Sequence, residues 1–198
     1  MKINSFEIKR NVRIFMKRKI ISITTALIAA ILLTSTVFAG QIKFSKVSFD
    51  LGSLIAKGDL TGLGNQDVKV ELTAAGIPAI TCTNYGGNQV PGQSYPKVSA
   101  SGSQTLSNDD KDRYSKNGKT PFNVETDNNL QTLTWDEAGC PNSNWSASID
   151  FVFWTEAKIN VYELLDINTG ETGALLASQD YTCVTTRYPA SVTCTPVK

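Results

Sequence analysis

The sequence predicts an all-β protein: a single β-sandwich, immunoglobulin-like or jelly-roll-like, with two disulfides and a signal peptide in front. Three observations predict it. Beyond the N-terminal segment, apolar residues recur with a period of two, and no window carries a convincing helical period. The alternating runs are short and are punctuated by Gly, Pro and Asn clusters, which end strands and build turns. Four cysteines follow an export-type leader, and exported chains pair their cysteines.

The leader is read from charge and size. Lys2, Lys9, Arg10, Arg13, Lys17, Arg18 and Lys19 face a single acid, Glu7. An uninterrupted apolar core runs from Ala26 to Leu33, and Val37-Phe-Ala39 places small residues before a cut at Gly40. Basic, apolar and small, in that order, describe a signal peptide over 1–39 and a single domain over 40–198. Met16 is an alternative start, because Met16-Lys-Arg-Lys19 supplies the basic segment alone. Serines and threonines flank the core, which is short for a membrane span of ~20 residues. The residue directly after the cut is Gly40 rather than the cysteine of a lipoprotein anchor, and no second long apolar segment exists. Export, cleavage and a chain free of the membrane, secreted or periplasmic, are therefore expected.

The elements of the domain follow in order. Lys46 to Leu60 reads as one or two strands, with Val47, Phe49 and Leu51 alternating around Gly52. Thr61-Gly-Leu-Gly-Asn65 is a turn. Asp67 to Ala74 is the cleanest strand, with Val68, Val70, Leu72 and Ala74 on one face. Gly76 is read as a turn, and Pro78 to Thr83 as a short strand. Lys97 to Leu106 alternates weakly, and the polar stretch to Lys119 ends in the turn dipeptide Asn117-Gly118. Thr120 to Thr126 and Leu130 to Trp135 read as two more strands. Trp145, Ala147, Ile149, Phe151 and Phe153 form a strong alternating face, resumed by Ile159 and Val161 after a turn near Glu156. That phase puts Trp145 in the core and Trp154 outside, opposite Lys158. Asn168-Thr-Gly170 turns one hairpin and Arg187-Tyr-Pro-Ala190 the last.

Two stretches have no hydrophobic period. Cys82 to Pro96 holds three glycines, two prolines, two asparagines and two tyrosines, and reads as an ordered loop rather than a strand. Asp136 to Asn144 is the second, and both carry a cysteine. Sequence alone allows three pairings of Cys82, Cys140, Cys183 and Cys194. Cys183 and Cys194 flank the last hairpin turn, where facing strand positions bring Cα atoms within the ~7 Å a bridge needs. Cys82 then pairs with Cys140. That bridge would hold the two loops together at one end of the sandwich, where a rigid β scaffold concentrates binding residues. Tyr85 and Tyr95 offer amphipathic rings there, and Asn88, Gln89 and Gln93 offer donors and acceptors.

Composition closes several chemistries. The chain has no histidine, which excludes Ser-His-Asp and Cys-His nucleophiles and histidine-ligated metals. Oxidised cysteines remove thiolate chemistry. Seven of 19 bases and one of 18 acids precede Gly40, so 12 bases and 17 acids remain, a net −5 without a basic stripe. That argues against nucleic acid as a partner. No cofactor or metal is expected.

Gly62-Leu-Gly-Asn65, Cys82-Thr-Asn-Tyr-Gly-Gly-Asn-Gln-Val-Pro-Gly-Gln93 and Gly139-Cys-Pro-Asn142 together resemble a group of uncharacterised secreted bacterial proteins. Those proteins combine a G-L-G-N turn, a C-x-N-x-G-G-N-x-x-P-G-Q loop and a G-C-P-N loop. The resemblance covers about residues 50–155. It implies export and the two-loop arrangement, and no activity.

Weaker motifs read as structure. Ser94-Tyr-Pro-Lys97 has the Ser-x-x-Lys spacing, but Pro96 denies it the helix that the pair requires. Gly118-Lys-Thr120 lacks the upstream glycine of a phosphate loop. Asp166 to Glu171 alternates oxygen ligands but reads as a hairpin turn. Asp136-Glu137 offers a glycosidase carboxylate without a placeable second acid. Trp135, Trp145 and Trp154 are a candidate sugar platform. The leading expectation is a non-enzymatic exported protein that binds an unknown protein or surface glycan, or supports an envelope structure. A carbohydrate-binding module or carboxylate-dependent glycoside hydrolase is the alternative.

Overall fold

The computed structural model describes residues 41–198 except 52, 109–117, 128, 129 and 131. The signal peptide expected over 1–39 and most of the acidic run at 108–113 lie outside the described residues. Among the described residues nine strands follow in chain order: β1 Lys43–Asp50, β2 Ile55–Thr61, β3 Val68–Asn84, β4 Gln89–Pro91, β5 Val98–Leu106, β6 Lys119–Glu125, β7 Trp145–Asp166, β8 Glu171–Arg187 and β9 Ala190–Pro196. Every pairing is antiparallel.

One sheet has the order β1-β2-β6. In the other, β4 and β5 share one edge of β3, and β7, β8 and β9 continue from its far edge. Leu60 and Val124 of the first sheet share one core with Val70, Leu72, Val98, Ile159 and Val161 of the second, all essentially solvent-free. Each such side chain contributes about 1.5–3 kcal/mol of transfer free energy. Phe49 and Tyr181 join the sheets edge to face, with centroids 5.0 Å apart. The order β1-β2-β6 against β5-β3-β7-β8 is that of immunoglobulin-like strands A-B-E and C′-C-F-G, which decides between the two sandwich topologies. β9 extends the second sheet beyond the G position, and β4 adds three residues at its opposite edge.

Three elements differ from the sequence reading. Gly76 does not turn the chain: β3 continues through it for 17 residues. A Cβ at Gly76 would lie 2.5 Å from the Phe153 carbonyl oxygen, so glycine is there for a close strand approach. Pro78 is tolerated because it falls between the ends of β5 and β4, where that edge of β3 is unpaired. The described part of 130–135 is not a strand.

The third difference is β7, one strand of 22 residues without a turn near Glu156. Ala75 pairs with Glu156 and Gly76 with Trp154, leaving Thr155 as an extra residue. Ala79 pairs with Phe151 and Ile80 with Ile149, leaving Asp150 extra. Each bulge shifts the alternation by one residue. Trp145, Ala147 and Ile149 therefore pack on the core, Val152 and Trp154 take over inside, and Ala157, Ile159 and Val161 resume the original phase. Phe151 and Phe153 emerge on the outer face, with ring centroids 5.0 Å apart. Trp154 is 2% exposed and does not share a face with Lys158, which pairs instead with Asp180 at 3.2 Å.

Candidate functional site

Both disulfides join the expected partners. Cys183 and Cys194 face each other across β8 and β9, with Cα atoms 4.0 Å apart. Cys82 near the end of β3 bonds Cys140, with Cα atoms 5.6 Å apart. The second bridge builds one end of the sandwich.

The run from Cys82 to Pro96 is only partly a loop. Its first half is a hairpin, with Cys82 paired to Val90 and Thr83 to Gln89. Asn84 organises the tip. Its side-chain oxygen accepts the N–H groups of Gly86 and Asn88 at 3.0 and 2.9 Å, and its carbonyl accepts that of Gly87 at 2.9 Å. Gly87, at φ 77°, supplies the left-handed residue that closes the turn. The returning chain is knitted to the second loop. Gln93 donates its N–H to the Gly139 carbonyl at 3.4 Å, and Ser94 to that of Ala138 at 3.3 Å. The fit is glycine-dependent: a Cβ on Gly92 would meet the Ala138 oxygen at 2.7 Å, and one on Gly139 would meet the Ser94 nitrogen at 2.6 Å.

The five candidate binding residues are all exposed. Tyr85 is 93% exposed and Tyr95 74%. Asn88, Gln89 and Gln93 hold the turn through their backbones, while their side chains lack hydrogen-bond partners among the described residues. Asn142 and Asn144 join them from the second loop, also exposed, in a turn where the Asn142 side chain accepts the Asn144 N–H at 3.0 Å. Sequence reasoning missed Asn84 and these two asparagines. Their signal was an asparagine two residues before a glycine or a second asparagine, the spacing of a side-chain-capped turn.

One compositional property marks this end. Residues 82–96 and 138–149 contain no charged side chain, in a chain that is 19% charged. At that frequency 27 residues would carry about five charges. Asp136 and Glu137 open the second loop and are exposed, and further charge lies on the larger sheet. An open groove of about 800 Å³ crosses the larger sheet, lined by Thr73, Ser99, Ser101, Glu156, Lys158 and Asp180 among others. Two of its three carboxylates are ion-paired, Glu156 to Lys97 at 2.8 Å and Asp180 to Lys158 at 3.2 Å, and the third, Asp127, is tied by its backbone N–H to the Ser101 carbonyl at 2.7 Å. Such pairing is the opposite of the apolar setting that makes a general acid.

The other motifs resolve as structure. Glu137 accepts the N–H and hydroxyl of Thr134 at 2.9 and 2.8 Å, and the backbone N–H first, then the hydroxyl, hold its carboxyl below the usual range. It caps a turn. Asp166 accepts the Asn168 N–H at 2.7 Å, which lowers its pKa and caps the hairpin turn. Lys97 of the Ser-x-x-Lys spacing points to Glu156 rather than Ser94. Burial of Trp154 removes the three-tryptophan platform, since Trp135 alone of the three is exposed, at 38%. Among the described residues no helix is long and apolar enough to cross a membrane. Comparison of the chain with protein-family models, with curated proteins and with solved structures returns no match.

Proposed function

We propose that this is an exported, non-enzymatic binding module that recognises its partner through the disulfide-clamped end of the sandwich. One observation carries the reading. Tyr85 and Tyr95 stand almost fully in water on backbone that is tied down by a disulfide, a side-chain-capped turn and two inter-loop hydrogen bonds. Ordering a loop costs about 1–2 kcal/mol per residue, and exposed rings return none of it to the core. Such ordering is useful when the rings meet a partner, because a preformed site loses less entropy on binding. The lack of histidine and of free thiols supports a role without nucleophilic catalysis.

Export rests on the basic, apolar and small-residue order before Gly40. N-terminal sequencing of the protein recovered from outside the cytoplasm is expected to begin at Gly40; an intact N-terminus there would overturn this. The binding role is tested by in situ cross-linking and pull-down from envelope and medium. Wild type is compared with the triple variant Tyr85→Ala, Asn88→Ala, Tyr95→Ala. Capture lost in the triple variant, with both disulfides intact, is the expected result. Equal capture would reduce the end to a plug over the core.

A further inference from the structure

We infer that the ligand of the clamped end is a neutral glycan; this rests on the reading of that end as the binding site. The scarcity of charge comes first. An anionic ligand would find no basic side chain in either loop, and leaving its charge unpaired on desolvation is costly. The acids of the two loops are Asp136 and Glu137, and Glu137 already accepts from the N–H and hydroxyl of Thr134. Protein partners commonly use complementary charge for steering and register, and a buried apolar centre for affinity. This end has no buried apolar centre and no basic side chain: Tyr85 stands on a turn and Tyr95 on the irregular returning segment, among amides and glycines.

What the end does offer matches a sugar. A pyranose ring has C–H faces and an equatorial belt of hydroxyls. Tyr85 and Tyr95 present flat amphipathic rings at low conformational cost, having only two side-chain torsions each. Asn88, Gln89, Gln93 and Asn142 present planar amides, each with one acceptor oxygen and two N–H donors. An amide can therefore accept from one hydroxyl and donate to its neighbour, a pairing that requires no charge. The Cys82–Cys140 bridge and the Asn84 turn hold the backbone that carries these groups before any ligand arrives.

The experiment uses the full chain, expressed with its own N-terminal segment and purified oxidised. It is titrated with a soluble β-glucan, an α-glucan and a mannan, incubated with insoluble chitin, and titrated with a polyuronate as the charged control. The expected result is binding to at least one neutral polymer, changing less than about twofold between ~50 and ~500 mM NaCl, because screening has no charge to act on. Tyr85→Ala and Tyr95→Ala are each expected to weaken it about tenfold, the equivalent of one lost stacking contact. Tyr85→Phe keeps the ring and should retain most of the affinity. Circular dichroism and the disulfide map confirm that the variants are folded. Salt-sensitive binding to the polyuronate alone overturns the inference. So does neutral-glycan binding that both alanine variants retain, which would move the site to the charged groove. If no neutral polymer binds while cross-linking captures a protein in a Tyr85-dependent manner, the glycan is wrong and the binding end stands. If nothing depends on Tyr85 or Tyr95 in either assay, both readings fall.

Discussion

Phe153 and Trp154 are neighbours in the chain and lie on opposite sides of the sheet, and their substitutions should differ accordingly. Trp154 is 2% exposed, so Trp154→Ala leaves a large cavity and should cost about 3–5 kcal/mol by urea unfolding. Tyr85→Ala, at a position 93% exposed, should stay within about 0.5 kcal/mol of wild type in the same assay. Reversed magnitudes would mean that the phase shift in β7 is wrong. Gly102 sits where β5 passes under the end of β6, and a Cβ there would lie 1.8 Å from the Glu125 carbonyl oxygen. Backbone cannot yield as a side-chain tip does, so Gly102→Ala should cost about 3 kcal/mol or more, read as a lowered midpoint or loss of folded protein. Tyr181 supplies a pH test. Burial raises its phenol from the ordinary 10.0 to about 12. The folded chain then keeps this proton where the unfolded chain releases it. Stability is full below pH ~10 and falls as pH rises toward ~12, the sign required when the native state binds more protons. Thermal melts should show that fall, and Tyr181→Phe should remove this part of it.

At the scale of elements, the two disulfides differ in what they enclose. Cys82–Cys140 spans 58 positions and Cys183–Cys194 spans 11. Chain entropy in the unfolded state then assigns about 4 kcal/mol to the first and about 3 kcal/mol to the second. Replacing each pair with alanine should reproduce that order in urea unfolding. Only the first replacement should abolish ligand capture, since only that bridge holds the two loops together. Both pairings were legible in the sequence, because a hairpin turn between two cysteines makes them face each other and leaves one partner for each of the others. Strand lengths were less legible. Gly76 and the residues near Glu156 look like breaks, and both belong to one continuous ladder. A bulge and a turn draw on the same residues; what separates them is whether a neighbouring strand continues alongside, and in β3 and β7 each is that neighbour for the other.

For the whole molecule, the alternating runs and turn clusters determined the all-β class, and the cysteines determined how the two loops come together. The charge-free run from Cys82 to Pro96 is likewise a property of the sequence alone. Those features are local, or depend on pairing rules that need no knowledge of neighbours. Tertiary structure decided the rest. It selected the immunoglobulin-like order over the jelly roll, because strand order is a matter of which distant edges meet. It sent Trp154 inside and Phe151 and Phe153 outside, because an unpaired residue moves the phase of a strand only relative to its partner. It also left Tyr85 and Tyr95 in water, since exposure is set by what the remainder of the chain fails to cover.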